Sequence, residues 1–274
     1  LVERFVQRSG AKQGLINIAT DGETYGHHHK FGELCLAYAL EVDAPARGFV
    51  VTNYGEYLDR HPPEIEVEIG NGPDGEGSSW SCAHGVSRWI RDCGCHTGGA
   101  PGWNQAWRKP LRDALDFLRD EGEIYFESTR GRLFIDPWTA RDAVISLLLN
   151  EQDSREAFLA RHAPRDLSSE DQRRALLHLE LQRNLMLMYT SCAWFFNDIS
   201  GIEPVQILKY ACRAIDLMDQ LGLAWPRARF LEILGEAKSN RPEMGTGADI
   251  YRRLVEPVNP SFKAEAERLA GTIA

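Results

Sequence analysis

A chain of 274 residues, 43% of them hydrophobic and 26% charged, can bury one large core or two ordinary ones. It has no apolar run long enough to cross a bilayer, and no membrane partner is expected. A formal net charge of -9 argues against nucleic-acid binding, which needs clustered Lys and Arg not offset by acids, but it excludes nothing about neutral substrates.

The chain starts at Leu1, not Met, and Leu1 to Gly14 has neither the basic flank nor the apolar core of a secretory signal, which suggests a fragment or a processed chain. The six cysteines are Cys35, Cys82, Cys93, Cys95, Cys192 and Cys212. Their irregular spacing, without a secretory signal, argues against a disulfide framework and for a reducing cytoplasm. Cys35, Cys192 and Cys212 fall singly on apolar helical stretches and are expected to be small core residues.

In chain order, Leu15 to Ala19 is a short apolar run suited to a buried strand, and Asp21-Gly22 then stands at its carboxyl end. Phe31, Leu34, Cys35 and Tyr38 recur at helical spacing, with Gly48 beyond the helix end. Phe49-Val50-Val51 is a short extended run. Asn53 is placed to cap a helix through Arg60 that Pro62-Pro63 stops. Glu64 to Ile69 alternates strictly, the pattern of a half-exposed strand.

From Gly70 to Gly102 the chain reads as a glycine-rich loop holding Trp80, Cys82, His84, Trp89, Cys93, Cys95 and His96. A loop of that length is functional or disordered, and its aromatic residues argue against disorder. Trp107, Leu111, Ala114, Leu115 and Leu118 mark a clear amphipathic helix. Beyond Pro137 the reading is helical almost throughout, with one stripe at Leu177, Leu181, Leu185 and Met188 and another at Ile207 or Leu208, Ala211, Ile215 and Met218. These stripes are core packing by default, so residues 137–274 are expected to form a helical bundle. Neither an internal repeat nor a low-complexity tract interrupts the chain.

The densest chemistry lies in IATDGETYGHHHK, residues 18–30. A carboxylate at the carboxyl end of a buried strand is where α/β enzymes place catalytic groups, because the loops there converge on one cleft. Asp21 is the leading candidate, with Glu23 two residues on. The competing reading is a helix-entry turn in which Asp21 or Thr24 serves as a cap. His27, His28 and His29 diverge on either a helix or a strand, so they cannot easily share one metal.

Cys82-Ala83-His84 and Cys93-Gly94-Cys95-His96 offer soft ligands, but their C-x-H and C-x-C-H spacings are not the paired C-x-x-C of zinc ribbons. Ordinary packing is the preferred account of that loop, and no metal ligand or cofactor is assigned. Trp80, Trp89, Trp103 and Trp107 offer flat faces for a sugar ring, or simply fold under the core. In YTSCAWFFNDISGIEP, residues 189–204, a helix ends in the polar turn of Asn197 and Asp198, and the next begins near Glu203 and Pro204.

Asp21-Gly22-Glu23-Thr24-Tyr25-Gly26 resembles the DGE-aromatic-G motif of glycoside hydrolase family 57, in which the strand-end Asp is the general acid/base. His61-Pro62-Pro63, Ser78-Ser79-Trp80, Trp89 and Trp103 to Trp107 look like the region after the barrel in glucan-branching members. Met188 to Phe195 looks like their helical-domain aromatic segment. With its DCGC and SGIEPVQ stretches, the set is most similar to a group of large proteins related to alpha-amylase and alpha-mannosidase in this family.

The resemblance implies the last strand region of an incomplete seven-stranded barrel over residues 1–136, followed by the helical domain 137–274. It implies a retaining carbohydrate-active enzyme acting on α-linked glucans by hydrolysis or transfer, with an oligo- or polysaccharide as partner. Asp21 is then the acid/base, and the nucleophilic Glu is expected upstream of Leu1. Glu23, His28, Trp80, Trp89 and Trp194 are the implied substrate contacts. The triple histidine and the cysteine-bearing loop depart from the family pattern. Two alternatives stay open: a metal-dependent barrel hydrolase, which would want an H-x-x-x-H pair that this chain lacks, and a non-catalytic carbohydrate-binding or helical fragment.

Overall fold

The computed structural model describes residues 2–3, 14–79, 81–149, 154–223 and 226–258. Two compact units divide the chain, Leu1–Glu68 and Ile69–Ala274. The division falls at Glu68/Ile69 and not near the expected 136/137, because the helix over 108–127 packs with the helices that follow it.

In the first unit, α1 (Gly32–Tyr38) continues through wider turns to Ala46, and α2 (Tyr54–Arg60) follows. The Asn53 side chain accepts from the Glu56 N–H at 3.0 Å, the cap expected from the sequence, and satisfies one of the first-turn donors that a helix leaves unpaired. The expected strands do not form. Leu15 to Asp21 and Glu64 to Ile69 are extended but unpaired, and among the described residues β-pairing is limited to isolated bridges. A strand is stable only when a neighbour accepts and donates its backbone hydrogen bonds, and neither run meets one in this unit. Ile65, Val67 and Ile69 are each more than 80% exposed. The α1 stripe is likewise uncovered: Phe31, Leu34 and Tyr38 are exposed, and Cys35 with them, contrary to its expected core position.

The second unit is helical. α3 (Arg108–Glu127) buries Leu111, Ala114, Leu115, Leu118, Gly122 and Phe126 along one face and turns i,i+4 ion pairs such as Lys109–Asp113 outward. α4 (Pro137–Ala143) is capped by Asp136, which accepts from Thr139 N–H, and α5 (Arg155–His162) by Ser154, which accepts from Ala157 N–H. α6 (Ser169–Leu187) lies between two cores. Ala175 and Leu179 join Phe126, Phe134 and Phe158 on one side, and Leu181 and Leu185 join the main cluster on the other.

α7 (Ile202–Gln220) is the central helix and buries residues nearly all round, including Ile207, Leu208, Ala214, Ile215 and Leu217. It ends in a Schellman motif: Gly222 takes φ +93°, its N–H donates to the Asp219 carbonyl, and Leu223 N–H donates to the Met218 carbonyl. α8 (Pro226–Leu234) packs on α3, and α9 (Gly247–Ile250) opens with a reciprocal Thr246–Asp249 capping box. Cys212 is in this core as expected, whereas Cys192 is exposed. None of the described helices is long and apolar enough to cross a membrane.

Candidate functional site

In the first unit, the turn after the extended run is built from backbone bonds. Gly22–Thr24 forms one tight helical turn, closed by Thr24 N–H on the Asp21 carbonyl at 3.0 Å. His28 N–H then donates to the Glu23 carbonyl at 2.9 Å, and His29 N–H to the Thr24 carbonyl at 3.1 Å. Asp21, Glu23 and His28 are therefore held on one short loop, all three exposed. The Asp21 side chain makes no capping hydrogen bond to this turn. His27 and His28 meet edge to face with ring centroids 4.9 Å apart, and His29 pairs back to Tyr25, so the three imidazoles do not converge.

In the second unit, the glycine-rich loop brings four ligand atoms together that the sequence left apart. Cys82 Sγ lies 3.9 Å from Cys93 Sγ, 3.8 Å from Cys95 Sγ and 3.9 Å from His84 Nδ1, and His84 Nδ1 lies 3.4 Å from Cys95 Sγ. All four atoms fall within 4.8 Å of one another. The sulfurs are far outside the roughly 2.05 Å of a disulfide. His96, the last residue of the C-x-C-H stretch, points elsewhere and accepts from Gly98 N–H through Nδ1 at 3.1 Å.

Two turns create this convergence. Gly85 takes φ +66° and donates its N–H to the Cys82 carbonyl, folding His84 back beside Cys82. A Cβ at Gly85 would stand 2.3 Å from the Gly77 carbonyl oxygen, so no other residue fits. Gly94 takes φ +76° between the two later cysteines, and its N–H donates to Asp92 Oδ1 at 2.9 Å while Asp92 Oδ2 accepts from Gln105 N–H.

Arg108, the first residue of α3, is fully buried beside the sulfurs. Its Nη1 donates to the Cys95 carbonyl at 2.8 Å and lies 4.0 Å from Cys93 Sγ, while Nε and Nη2 find no partner. Arg88 is also buried, with Nη2 on the Ser81 carbonyl, its guanidinium 4.5 Å from the Phe195 ring centre, and Nε and Nη1 unpartnered. Burial raises the Cys82 thiol, but hydrogen bonds from the His84 backbone and ring and from the two other thiols outweigh it and bring its pKa down. Burial pushes the Cys95 thiol up, and the two neighbouring sulfurs add to the rise. Of a set of thiols in contact, one releases its proton readily and the next resists.

The expected sugar-binding tryptophans behave differently. Trp80 lies outside the described residues. Trp89 is half-buried against the main core, and its Nε1 donates to the Ser191 carbonyl at 3.1 Å, which fastens the loop to the helical body. Trp194 is 1% exposed within the core. No face of that ring is left for a sugar, because the segment carrying it is the tight turn packed under α7. Trp107 is also core, and Trp103 is half-buried under the Arg241 guanidinium.

Asp198 is a buried carboxylate with a structural task. Its Oδ1 accepts from Ser200 N–H at 2.9 Å and from the Ser239 hydroxyl, and its Oδ2 accepts from Asn240 N–H. Asn240 in turn holds the Asn104 and Asn197 carbonyls, each at 2.8 Å.

Residues 103–272, more than half of the chain, match the family model of DUF3536, a domain of unknown function, and the chain belongs to this family. No curated protein and no solved structure matches it.

Proposed function

With membership of the DUF3536 family as its premise, we propose that the chain is part of a retaining carbohydrate-active enzyme of the glycoside hydrolase family 57 type, working on α-linked glucans in the cytoplasm. Hydrolysis or transfer proceeds with Asp21 as general acid/base. The observation that carries the reading is the carboxylate itself: it is exposed at the end of an extended run, directly before a tight turn, and makes no capping bond. A capping role, the ordinary use of Asp in such a place, is thus not the one it fills.

The uncovered apolar side chains of the same unit support the reading. Ile65 and Val67 on one extended run, and Phe31 before α1 with Leu34 and Tyr38 on it, are what barrel strands and a barrel helix would bury once neighbouring strands are paired with them.

In a retaining reaction two carboxyl groups stand about 5 Å apart: one attacks the sugar carbon, and the other protonates the leaving oxygen and then takes a proton from the incoming water. Asp21 is assigned the second role, and the nucleophile is a Glu on a neighbouring barrel strand. Glu23 and His28, exposed on the Asp21 loop, are assigned to sugar hydroxyls.

The test is the Asp21→Asn variant of the full-length protein, assayed on maltooligosaccharides beside the wild type with circular dichroism to confirm folding. Turnover is expected to fall by about 10²- to 10⁴-fold. Undiminished turnover refutes the acid/base assignment. A wild type that binds the glucan without turning it over refutes the enzymatic reading in favour of a carbohydrate-binding one.

A further inference from the structure

We propose that Cys82, His84, Cys93 and Cys95 bind one zinc ion, in a closed structural site that fastens the glycine-rich loop to the start of α3. A zinc ion with sulfurs at about 2.3 Å and a nitrogen at about 2.0 Å, in tetrahedral array, sets its ligands apart by about 3.8 Å for sulfur to sulfur and about 3.5 Å for sulfur to nitrogen. The sulfur pairs from Cys82 stand at 3.9 and 3.8 Å, and the sulfur to Nδ1 separations are 3.9 and 3.4 Å. Four of the six edges joining these side chains from two separate turns therefore match a zinc tetrahedron, and the other two are no longer than 4.8 Å. Such closeness suits a single ion, since a polynuclear cluster spreads its thiolates over different metal atoms.

Charge supplies a second, independent reason. Zinc with three thiolates and a neutral imidazole carries one net negative charge. Arg108 lies against Cys93 and Cys95, fully buried, with two guanidinium nitrogens lacking any partner, and Arg88 is buried nearby with two more. A buried cation is costly unless a negative charge stands beside it. With three protonated thiols, Asp92, which already accepts from Gly94 and Gln105 N–H, is the carboxylate left to offset Arg108, whereas the anionic centre sets a negative charge directly beside it.

The loop also needs a staple. Between Gly70 and Gly102 the described residues hold one short helical turn, Ser87–Trp89, and few buried side chains: Cys82, Ser87 and Arg88. That is too small a core to order so long a segment, and metal binding is a common substitute. All four positions of the tetrahedron are taken by the chain, so the ion has no open site for water or substrate and its role is structural. Exposed His84 gives the ion its route in. On binding, the ion replaces the thiol protons, which pass to solvent, with no change of oxidation state.

The site is independent of the catalytic reading, because the Asp21→Asn variant leaves every ligand in place. The experiment uses the full chain purified from cells grown without added zinc, dialysed into metal-free buffer, then examined by elemental analysis and zinc-edge X-ray absorption. About one zinc per chain is expected, with three sulfurs at about 2.3 Å and one nitrogen at about 2.0 Å. A Cys93→Ser, Cys95→Ser double variant is expected to hold less than about a tenth of that zinc, and a Cys35→Ser, Cys192→Ser double variant all of it. Should the first variant fail to fold, the wild type titrated with a mercurial thiol reagent provides the readout: zinc is expected to leave as the three loop thiols react. Folded wild type without stoichiometric zinc, iron in its place, a shell lacking three sulfurs, or zinc that stays after thiol modification overturns the proposal.

Discussion

Replacing Asp198 by Asn removes a charge while keeping the shape, and the geometry sets the size of the effect. Oδ1 accepts from Ser200 N–H and the Ser200 and Ser239 hydroxyls, and Oδ2 accepts from Ser239 and Asn240 N–H. An amide has one acceptor oxygen. If that oxygen takes the Oδ1 position, the new NH2 faces Asn240 N–H, and donor meets donor. One partly buried backbone donor left unmet costs about 1–3 kcal/mol, and the remaining bonds lose the extra strength of a charged acceptor, so the total is about 3 kcal/mol. For a domain of this size that lowers Tm by about 6–12 °C. Thermal unfolding followed by circular dichroism and calorimetry measures it, with Asp113→Asn as the control. Asp113 pairs with Lys109 at an exposed position, and its loss is expected to cost less than about 1 kcal/mol. A Tm for Asp198→Asn within about 2 °C of the wild type would refute the claim that this carboxylate holds the loop and helix ends together.

Three other outcomes follow from buried contacts. His178 is 1% exposed between Tyr125 and Phe126 with neither ring nitrogen partnered; burial, and then Arg174 and Arg132, lowers its pKa to about 4. The unfolded chain therefore binds the extra proton first. The stability from neutral His178 is full above about pH 6.5 and is lost as pH falls toward 4, by up to about 3 kcal/mol. Urea unfolding of His178→Leu is expected to show a smaller drop between pH 7 and pH 4.5 than the wild type, and equal drops would disprove the assignment. Gly122→Ala places a methyl 2.2 Å from Leu185 Cδ1 where α3 meets α6, so unfolding in urea is expected at lower concentration, by about 1–2 kcal/mol, despite the better helix propensity of Ala. A stabilised variant would contradict that contact. Tyr189→Phe removes the hydroxyl that donates to Asp116 Oδ1 at 2.6 Å and is expected to cost about 1 kcal/mol in the same assay, because Asp116 keeps Arg112 and Arg119. A loss above about 3 kcal/mol would mean that the ring's packing has changed as well.

What the sequence determined by itself was whatever repeats within a few residues. The stripes at 111–118, 181–188 and 207–218 became buried helix faces because side chains three and four apart share a face whatever lies across from them, and Asn53 capped α2 because a cap needs only its own next three residues. The glycine-rich loop was legible for the same reason: Gly and Pro interrupt local structure wherever they stand.

Tertiary structure alone decided which stripes are covered. Leu15 to Ala19 and Glu64 to Ile69 have strand patterns, yet a strand exists only where a neighbour takes up its backbone bonds, and the stripe of α1 remains in the open although its spacing is sound. Trp194, expected in a cleft, went into the core because aromatic residues serve both places, and only packing separates the two. The four candidate zinc ligands escaped the spacing argument because their convergence depends on the positive-φ turns at Gly85 and Gly94 and on contacts across eleven and thirteen positions. Local periodicity does not carry contacts between separate turns; they arise when the loop is folded against Arg108 and the start of α3.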